Sequence, residues 1–319
     1  MEKIHFKRTL YFVIDLLLFP FTIISIPLFY LSKTKGAWNL RMNSFLLKNI
    51  GVYLFRNHYY EPRFVYPFNF DFDQIRKIPF LIQLENQLSL LGQFVNSAEL
   101  NLLPVDNPLV KESFFVNNPN FGAGDVDLYY LIIRKFKPRR IIEVGSGYST
   151  MVCLKAMKQN KIEGIKTELT CIEPFEMPFL NQEKNITLIR KQVEDVSLEL
   201  FQSLEENDIL FIDSSHIIRP GNDLLHIFFE ILPILKKGVI IHIHDIFSPR
   251  HYPKEWLTEK MRFWNEQYLL EAFLHNNQVY QILFTANHLV KSHYEEAKKT
   301  LIHLQLNSEP SSFWMQKIN

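Results

Sequence analysis

Arg140-Ile141-Ile142-Glu143-Val144-Gly145-Ser146-Gly147-Tyr148-Ser149-Thr150 is the stretch that decides the fold. A short apolar run ends in two glycines one residue apart, and a helical pattern begins at once and runs through Met157. The run reads as a buried strand, a tight turn and a helix. Glycines suit that turn because a Cβ would obstruct both the backbone bend and the close approach of a ligand. A dinucleotide fingerprint wants a third glycine near Thr150, and its absence argues against a nicotinamide dinucleotide.

Further along, Leu169–Ile172, Ile186–Ile189, Ile209–Ile212 and Val239–Ile243 are short apolar runs separated by longer helical or loop patterns. Two more β-like runs come later, Val279–Phe284 and Ser312–Met315, with a polar helix around Tyr294–Leu304 between them. This alternation predicts an α/β fold, a Rossmann-like doubly wound sheet that is mostly parallel and covered by helices on both faces. Ligands of such sheets sit outside the carboxyl ends of the strands, so the residues just past the end of each run are the candidates for chemistry.

The second run ends in Glu173, where a carboxylate beside the glycine turn can accept both hydroxyls of a ribose. The fourth leads into Asp213-Ser214-Ser215-His216 and the fifth into His242-Ile243-His244-Asp245. Strands that lie side by side bring Asp213 and Asp245 to one edge, where paired carboxylates either bind a hard divalent cation or raise each other's pKa. His216 is placed to act as a general base. Strand alternation puts His242 and His244 on the same side and does not say which reaches the site.

In this order and spacing, Glu143–Thr150, Cys171–Pro174, Phe211–His216 and His242–Phe247 resemble a class I S-adenosylmethionine-dependent methyltransferase, of the bacterial methyltransferase family 24 type. The resemblance covers residues 121–319 and extends loosely to His58–Pro62. It implies a seven-stranded sheet whose final strand, within Ser312–Lys317, is inserted antiparallel between the fifth and sixth. It places Gly145, Ser146, Gly147, Tyr148 and Ser149 at the cofactor, with Glu143 at the base of the turn, Glu173 on the ribose and Asp213 close by. Metal-dependent sugar and catechol O-methyltransferases are similar at one further point: Asp213 and Asp245 match their magnesium-holding acids and His216 their base. Ile246 stands where catechol enzymes have an amide, one oxygen donor fewer for Mg2+. The implied reaction is O-methylation of a small-molecule or sugar hydroxyl, with His216, Asp213 and Asp245 as its catalytic set.

Around this constellation, Asp125 and Asp127 are expected to cover the cofactor, Tyr129 and Tyr130 to pack, and Trp256 and Trp264 to line the acceptor pocket. Asp71–Leu103 has apolar residues at helical spacing and is expected as a helical cap over the mouth of the domain. The run from Lys33 to Arg63 is basic and aromatic, a connector or a loop presented to a ligand.

From Leu10 to Leu31 the chain is apolar for long enough to cross a bilayer core of about 30 Å. Asp15, Pro20 and Pro27 interrupt a simple span, so a broken or interfacial helix is an equal reading, and packing on the soluble domain is the competing one. The organisation expected is thus an anchor or interfacial segment over 1–35, a connector and helical cap over 36–120, and a methyltransferase domain over 121–319. In 319 residues, 35 Lys+Arg against 34 Asp+Glu leave a net charge of +1, which gives no electrostatic case for nucleic acid. Cys153 and Cys171 supply neither a disulfide framework nor a zinc site, consistent with a cytoplasmic protein, including one on the cytoplasmic face of a membrane. Two other classes compete: a nicotinamide-dependent oxidoreductase, and a non-catalytic membrane-associated protein that keeps the fold.

Overall fold

The computed structural model describes residues 2–36, 39–54, 66, 69–107, 114–175, 178–181 and 183–319. The run 57–62, a candidate connector or ligand loop, lies outside the described residues. The chain divides into two compact units, 1–71 and 72–319. Residues 72–120 therefore share a unit with the domain expected to begin at 121.

The first unit holds α1 (Glu2–Lys35) and α2 (Arg41–Asn49). Helix α1 keeps going through Pro20 and Pro27, and the Thr22 and Ser25 hydroxyls donate to the carbonyls of Leu18 and Phe21 one turn back. Apolar side chains emerge on all its sides, Leu17, Phe19, Phe21 and Ile24 among those that are more than half exposed.

In the second unit, residues 72–83 are turns and extended backbone rather than the helix that their spacing suggested. Arg76 holds this segment down through a paired contact with the Glu271 carboxylate and a backbone bond to Pro249 O. Helical structure begins only after Pro79, at α3 (Leu84–Leu91), with a 3-10 turn beyond it at Ser97–Leu102.

Then come α4 (Asp125–Phe136), β1 (Arg140–Val144), α5 (Tyr148–Ile162), β2 (Glu168–Ile172), β3 (Ile186–Ile189), α6 (Leu198–Gln202) and β4 (Ile209–Ile212). The stretch between β4 and the next strand is α7 (Asp223–His226), a π turn at Ile227–Ile231 and α8 (Leu232–Ile234). It leads to β5 (Ile240–Ile243), α9 (Lys254–Thr258), α10 (Glu266–Leu274), β6 (Tyr280–Thr285), α11 (Ala286–Ser292), α12 (Tyr294–Lys298) and β7 (Phe313–Lys317).

The strands form one sheet in the order β3-β2-β1-β4-β5-β7-β6, with β7 antiparallel to both neighbours. Strands β1, β4 and β5 are buried nearly throughout, which is why they read as continuous apolar runs instead of an alternation. Alternate residues still serve different cores: Ile141, Leu169, Phe211 and Trp314 pack under α4 and α5, while Ile142, Ile172, Leu210 and Ile243 pack with the α7–α8 segment and α10. One register row runs Glu143–Phe211–His242–Trp314 across four strands. Tyr129 stacks on Phe211 with centroids 4.7 Å apart, and Phe211 on His242 at 3.9 Å. His242 is therefore a member of an aromatic layer, fully buried, with Nε2 3.0 Å from Ser312 Oγ.

Helix α3 packs against β6 and α12, and Gln87 Oε1 accepts the Thr285 N–H at 2.9 Å.

A candidate active site at the carboxyl edge of the sheet

The chain leaves β1 at Gly145 with φ 84°, the left-handed region that a side chain disfavours. The end of β4 runs so close that a Cβ there would stand 2.0 Å from Asp213 O. Asp213 N–H donates to Val144 O at 2.8 Å and Gly145 N–H to Ile172 O at 3.0 Å, so three strand ends are tied at one point.

Glu143 shapes the turn from beneath. Its carboxylate is fully buried, accepts Tyr129 O–H at 2.9 Å and Thr150 Oγ1–H at 2.6 Å, and Thr150 Oγ1 in turn accepts Gly147 N–H at 3.1 Å. Burial pushes its pKa up to about 7 against the pull of these hydrogen bonds. Tyr129 is thus more than a packing residue, and Thr150, where a dinucleotide turn wants glycine, locks the loop instead.

Glu173, at the tip of β2, accepts Ser146 N–H at 3.0 Å and Phe175 N–H at 2.7 Å. A cleft of ≈ 280 Å³ opens beside it, lined by Gly145, Glu173, Phe175, Gln192, Glu194 and Asp213 among others. The Ser214 hydroxyl is buried there and has no hydrogen-bond partner among the described residues. Of the turn residues predicted to touch a cofactor, Gly145 lines the cleft directly. Ser146 reaches it through its backbone bond to Glu173, whereas Gly147, Tyr148 and Ser149 open α5 behind the turn. Gln192 and Glu194, just after β3, were not legible in the sequence, because no distinctive pattern surrounds them.

At the other side of Asp213 the second cluster assembles. His216 Nε2 lies 3.2 Å from Asp213 Oδ1 and 3.6 Å from Asp245 Oδ2, and its Nδ1 lies 2.7 Å from Glu266 Oε2. His216 and Asp245 both have left-handed backbones, φ 59° and 56°, a strain that non-glycine residues keep mainly at functional positions. The Asp213 side chain is 37% exposed to the cleft, whereas that of Glu266 is fully enclosed. Burial alone would lower the pKa of His216, but its hydrogen bonds to Asp213 and Glu266 outweigh this and hold it well above the ordinary histidine value. His244, also buried, is raised in the same way by the charges of Asp245, Asp213 and Asp125. Glu266 is raised by its burial.

His244, not His242, is the one beside the site, its Nε2 3.6 Å from Asp245 Oδ1. Asp213, His216 and Asp245 offer donor atoms within 4.8 Å of one another, a set of two carboxylates and an imidazole that suits a divalent cation. Ser311 Oγ–H donates to Asp245 Oδ1 at 3.0 Å and steadies it.

Asp125 and Asp127 do not line the cleft. Asp125 accepts the backbone N–H groups of Ser311 and Ser312, and Asp127 binds the backbone N–H and ring of His303, so both anchor the approach to β7. Trp264 does reach the site, its ring 4.2 Å from that of His216, and Trp256 meets Trp264 edge to face at 5.1 Å. Glu266 was missed in the sequence although it lies only two residues past Trp264; a lone acid opening a helix reads as an ordinary helix start.

The sheet order with an inserted antiparallel last strand, and a cleft at the carboxyl ends of β1, β2 and β4, are the Rossmann-like arrangement that the resemblance implied. Residues 142–246 match the family model described as a methyltransferase domain, which is the family the motifs resemble. An uncharacterized protein of Archaeoglobus fulgidus is 32% identical over 126 residues, 38% of this chain and 55% of that protein, so the chain spans about half the length of this curated relative. The solved structures that it is similar to include the O-methyltransferase TomG of Streptomyces achromogenes, in complex with S-adenosylmethionine, at 14% identity and TM-score 0.40, covering 75% of this chain and 93% of that one. An O-methyltransferase of Bacillus cereus in complex with S-adenosylhomocysteine is similar at 14% identity and TM-score 0.37, with the same coverage.

Proposed function

We propose that the protein transfers the methyl group of S-adenosylmethionine to a hydroxyl oxygen of a small-molecule or sugar acceptor. The observation that carries this reading is the position of Asp213, which lines the cleft with Gly145 and Glu173 on one side and faces His216 and Asp245 on the other. Glu173 suits the ribose hydroxyls, and the Ser214 hydroxyl offers a buried, unused polar group in the same cleft.

In the reaction the acceptor oxygen attacks the sulfonium methyl in line; the carbon–sulfur bond breaks with its electron pair going to sulfur, and His216 Nε2 takes the acceptor's proton. The protein's share is alignment and proton removal. Glu266 fixes the imidazole from behind and stabilises its protonated form. Asp213 and Asp245 suit a divalent cation such as Mg2+, which when bound supplies electrostatic stabilisation to the acceptor oxygen. Nothing in the turn favours a nicotinamide, since the Thr150 side chain fills the space between Glu143 and Gly147.

Calorimetric titration of S-adenosylmethionine into the full chain tests the reading. Saturable binding, weakened at least tenfold by Glu173→Ala, supports it; no binding by a folded protein overturns it.

A second observation favours a membrane location. Arg8–Lys35 is long and apolar enough to cross a bilayer, and none of its apolar window is buried. An apolar surface on every side suits a span better than a helix lying in the interface. We place the catalytic unit on the cytoplasmic side, where the cofactor is made. Full-length protein is expected to float with lipid vesicles, and a Leu17→Arg, Ile24→Arg double variant to stay behind; equal flotation of both overturns the anchor.

A further inference from the structure

The segment after β5 carries a cation that methyl transfer to a plain hydroxyl does not use. Arg262 is partly buried, and its guanidinium carbon lies 4.5 Å from the ring centroids of both Trp256 and Trp264. Local structure fixes it there: Met261 adopts φ 52°, and Arg262 N–H then returns to Trp256 O at 2.8 Å. The loop is tied to the site by Asn265, whose N–H donates to His216 O at 2.9 Å and whose Oδ1 accepts Ile218 N–H at 2.7 Å. Trp264, between these two anchors, has one neighbour in Arg262 and another in the His216 ring.

Stacking uses the flat face of a guanidinium and leaves its N–H edge available. Among the described residues Arg262 has no carboxylate partner, whereas nearby Lys260 is paired with Glu255 at 2.9 Å. A partly desolvated cation is ordinarily paired. Arg262 is also absent from the lining of the cleft at Gly145 and Glu173, where the methyl-transfer reading puts the cofactor. The imidazole of His216 is ringed by Asp213, Asp245 and Glu266, a field that repels an anion unless a fixed cation stands beside it.

Resting on the methyl-transfer reading, we infer that Arg262 recognises an oxyanion carried by the methyl acceptor. The acceptor is then an acidic alcohol or phenol, bearing a carboxylate or a phosphate, and the Trp256–Trp264 pair presents Arg262 to that group. Arg262 acts on acceptor affinity and takes no part in proton removal.

The test is calorimetric, on full-length protein saturated with S-adenosylhomocysteine at low ionic strength, titrated with inorganic phosphate and separately with acetate. Wild type is expected to bind at least one anion saturably. Arg262→Gln should weaken that binding at least tenfold with the affinity for S-adenosylhomocysteine changed less than twofold, and Arg262→Lys should lose more for planar acetate than for phosphate. The arm with the tighter binding identifies the group on the acceptor. Binding of neither anion, or equal binding by wild type and Arg262→Gln, overturns the inference while leaving the reaction untouched. Failure of folded wild type to bind S-adenosylhomocysteine overturns the underlying reaction instead.

Discussion

Glu266 Oε2 lies 2.7 Å from His216 Nδ1, across fifty residues of chain, and has no exposure of its own. That contact settles which imidazole nitrogen looks outward: Nε2, toward Asp213 and Asp245. It gives the site an imidazole whose orientation is held from behind.

Glu266→Gln is expected to keep the imidazole in place and remove the charge behind it. Turnover should fall about 10–100-fold, with cofactor affinity unchanged. Since Glu266 helps hold His216 protonated, its loss lowers the pKa of His216, and the rising limb of the pH–rate profile moves toward acid. Labelled methyl transfer from S-adenosylmethionine into a cellular small-molecule extract, measured against pH, checks both parts; an unmoved limb would leave Glu266 with a packing role only.

Gly145→Ala places a Cβ 2.0 Å from Asp213 O at a backbone φ of 84°. The strand ends must separate, costing about 3 kcal/mol, and the cleft loses its floor. Urea unfolding should show the loss, and S-adenosylmethionine binding should vanish in the same sample.

Glu143 gives a stability that depends on pH. Its folded pKa, about 7, lies above the ordinary carboxyl value near 4.5. A raised folded value means that the native state binds the proton more tightly than the unfolded chain. The contribution is therefore complete below about pH 4.5 and is lost as pH climbs through about 7, by up to about 3 kcal/mol in all. The unfolding free energy of Glu143→Gln relative to wild type should rise over that window; a flat difference would show that Glu143 titrates as an ordinary carboxylate.

His242→Phe should behave unlike any change at His216. Burial holds His242 neutral, its pKa well below the usual value, and the ring serves the Phe211–Trp314 layer. Loss of the Ser312 contact is the main cost, so the unfolding free energy should stay within about 2 kcal/mol of wild type and cofactor binding should not change. Abolished binding in a stable variant would return His242 to the site.

The contrast between these two histidines shows what the sequence carries. Strands buried on both faces, as β1, β4 and β5 are, announce themselves as apolar runs, so the edge bearing Gly145, Asp213 and Asp245 could be placed from local pattern. What depends on distant partners could not. Asp125 and Asp127 look like site acids until Ser311, Ser312 and His303 are seen to bind them. His242 and His244 share one strand parity, and only the packing of Phe211 and Trp314 separates them. The helical spacing of residues 72–83 was overridden by Pro79 and by the tie between Arg76 and Glu271.

The antiparallel insertion of β7 carries a consequence for synthesis. Strands β5 and β6 are not paired with each other; β6 is joined to β5 and the rest of the sheet only through Phe313–Lys317. While the ribosome has yet to deliver those five residues, β5 presents an open edge and β6 has no partner, the kind of exposed ladder that recruits a second chain. The two serines held by Asp125 lie immediately before this strand. Helix α4, made long before, thus waits with the receptor that guides the late strand into its slot. A nascent chain halted before residue 313 carries a finished glycine turn on an unfinished sheet, and is expected to aggregate rather than to turn over slowly.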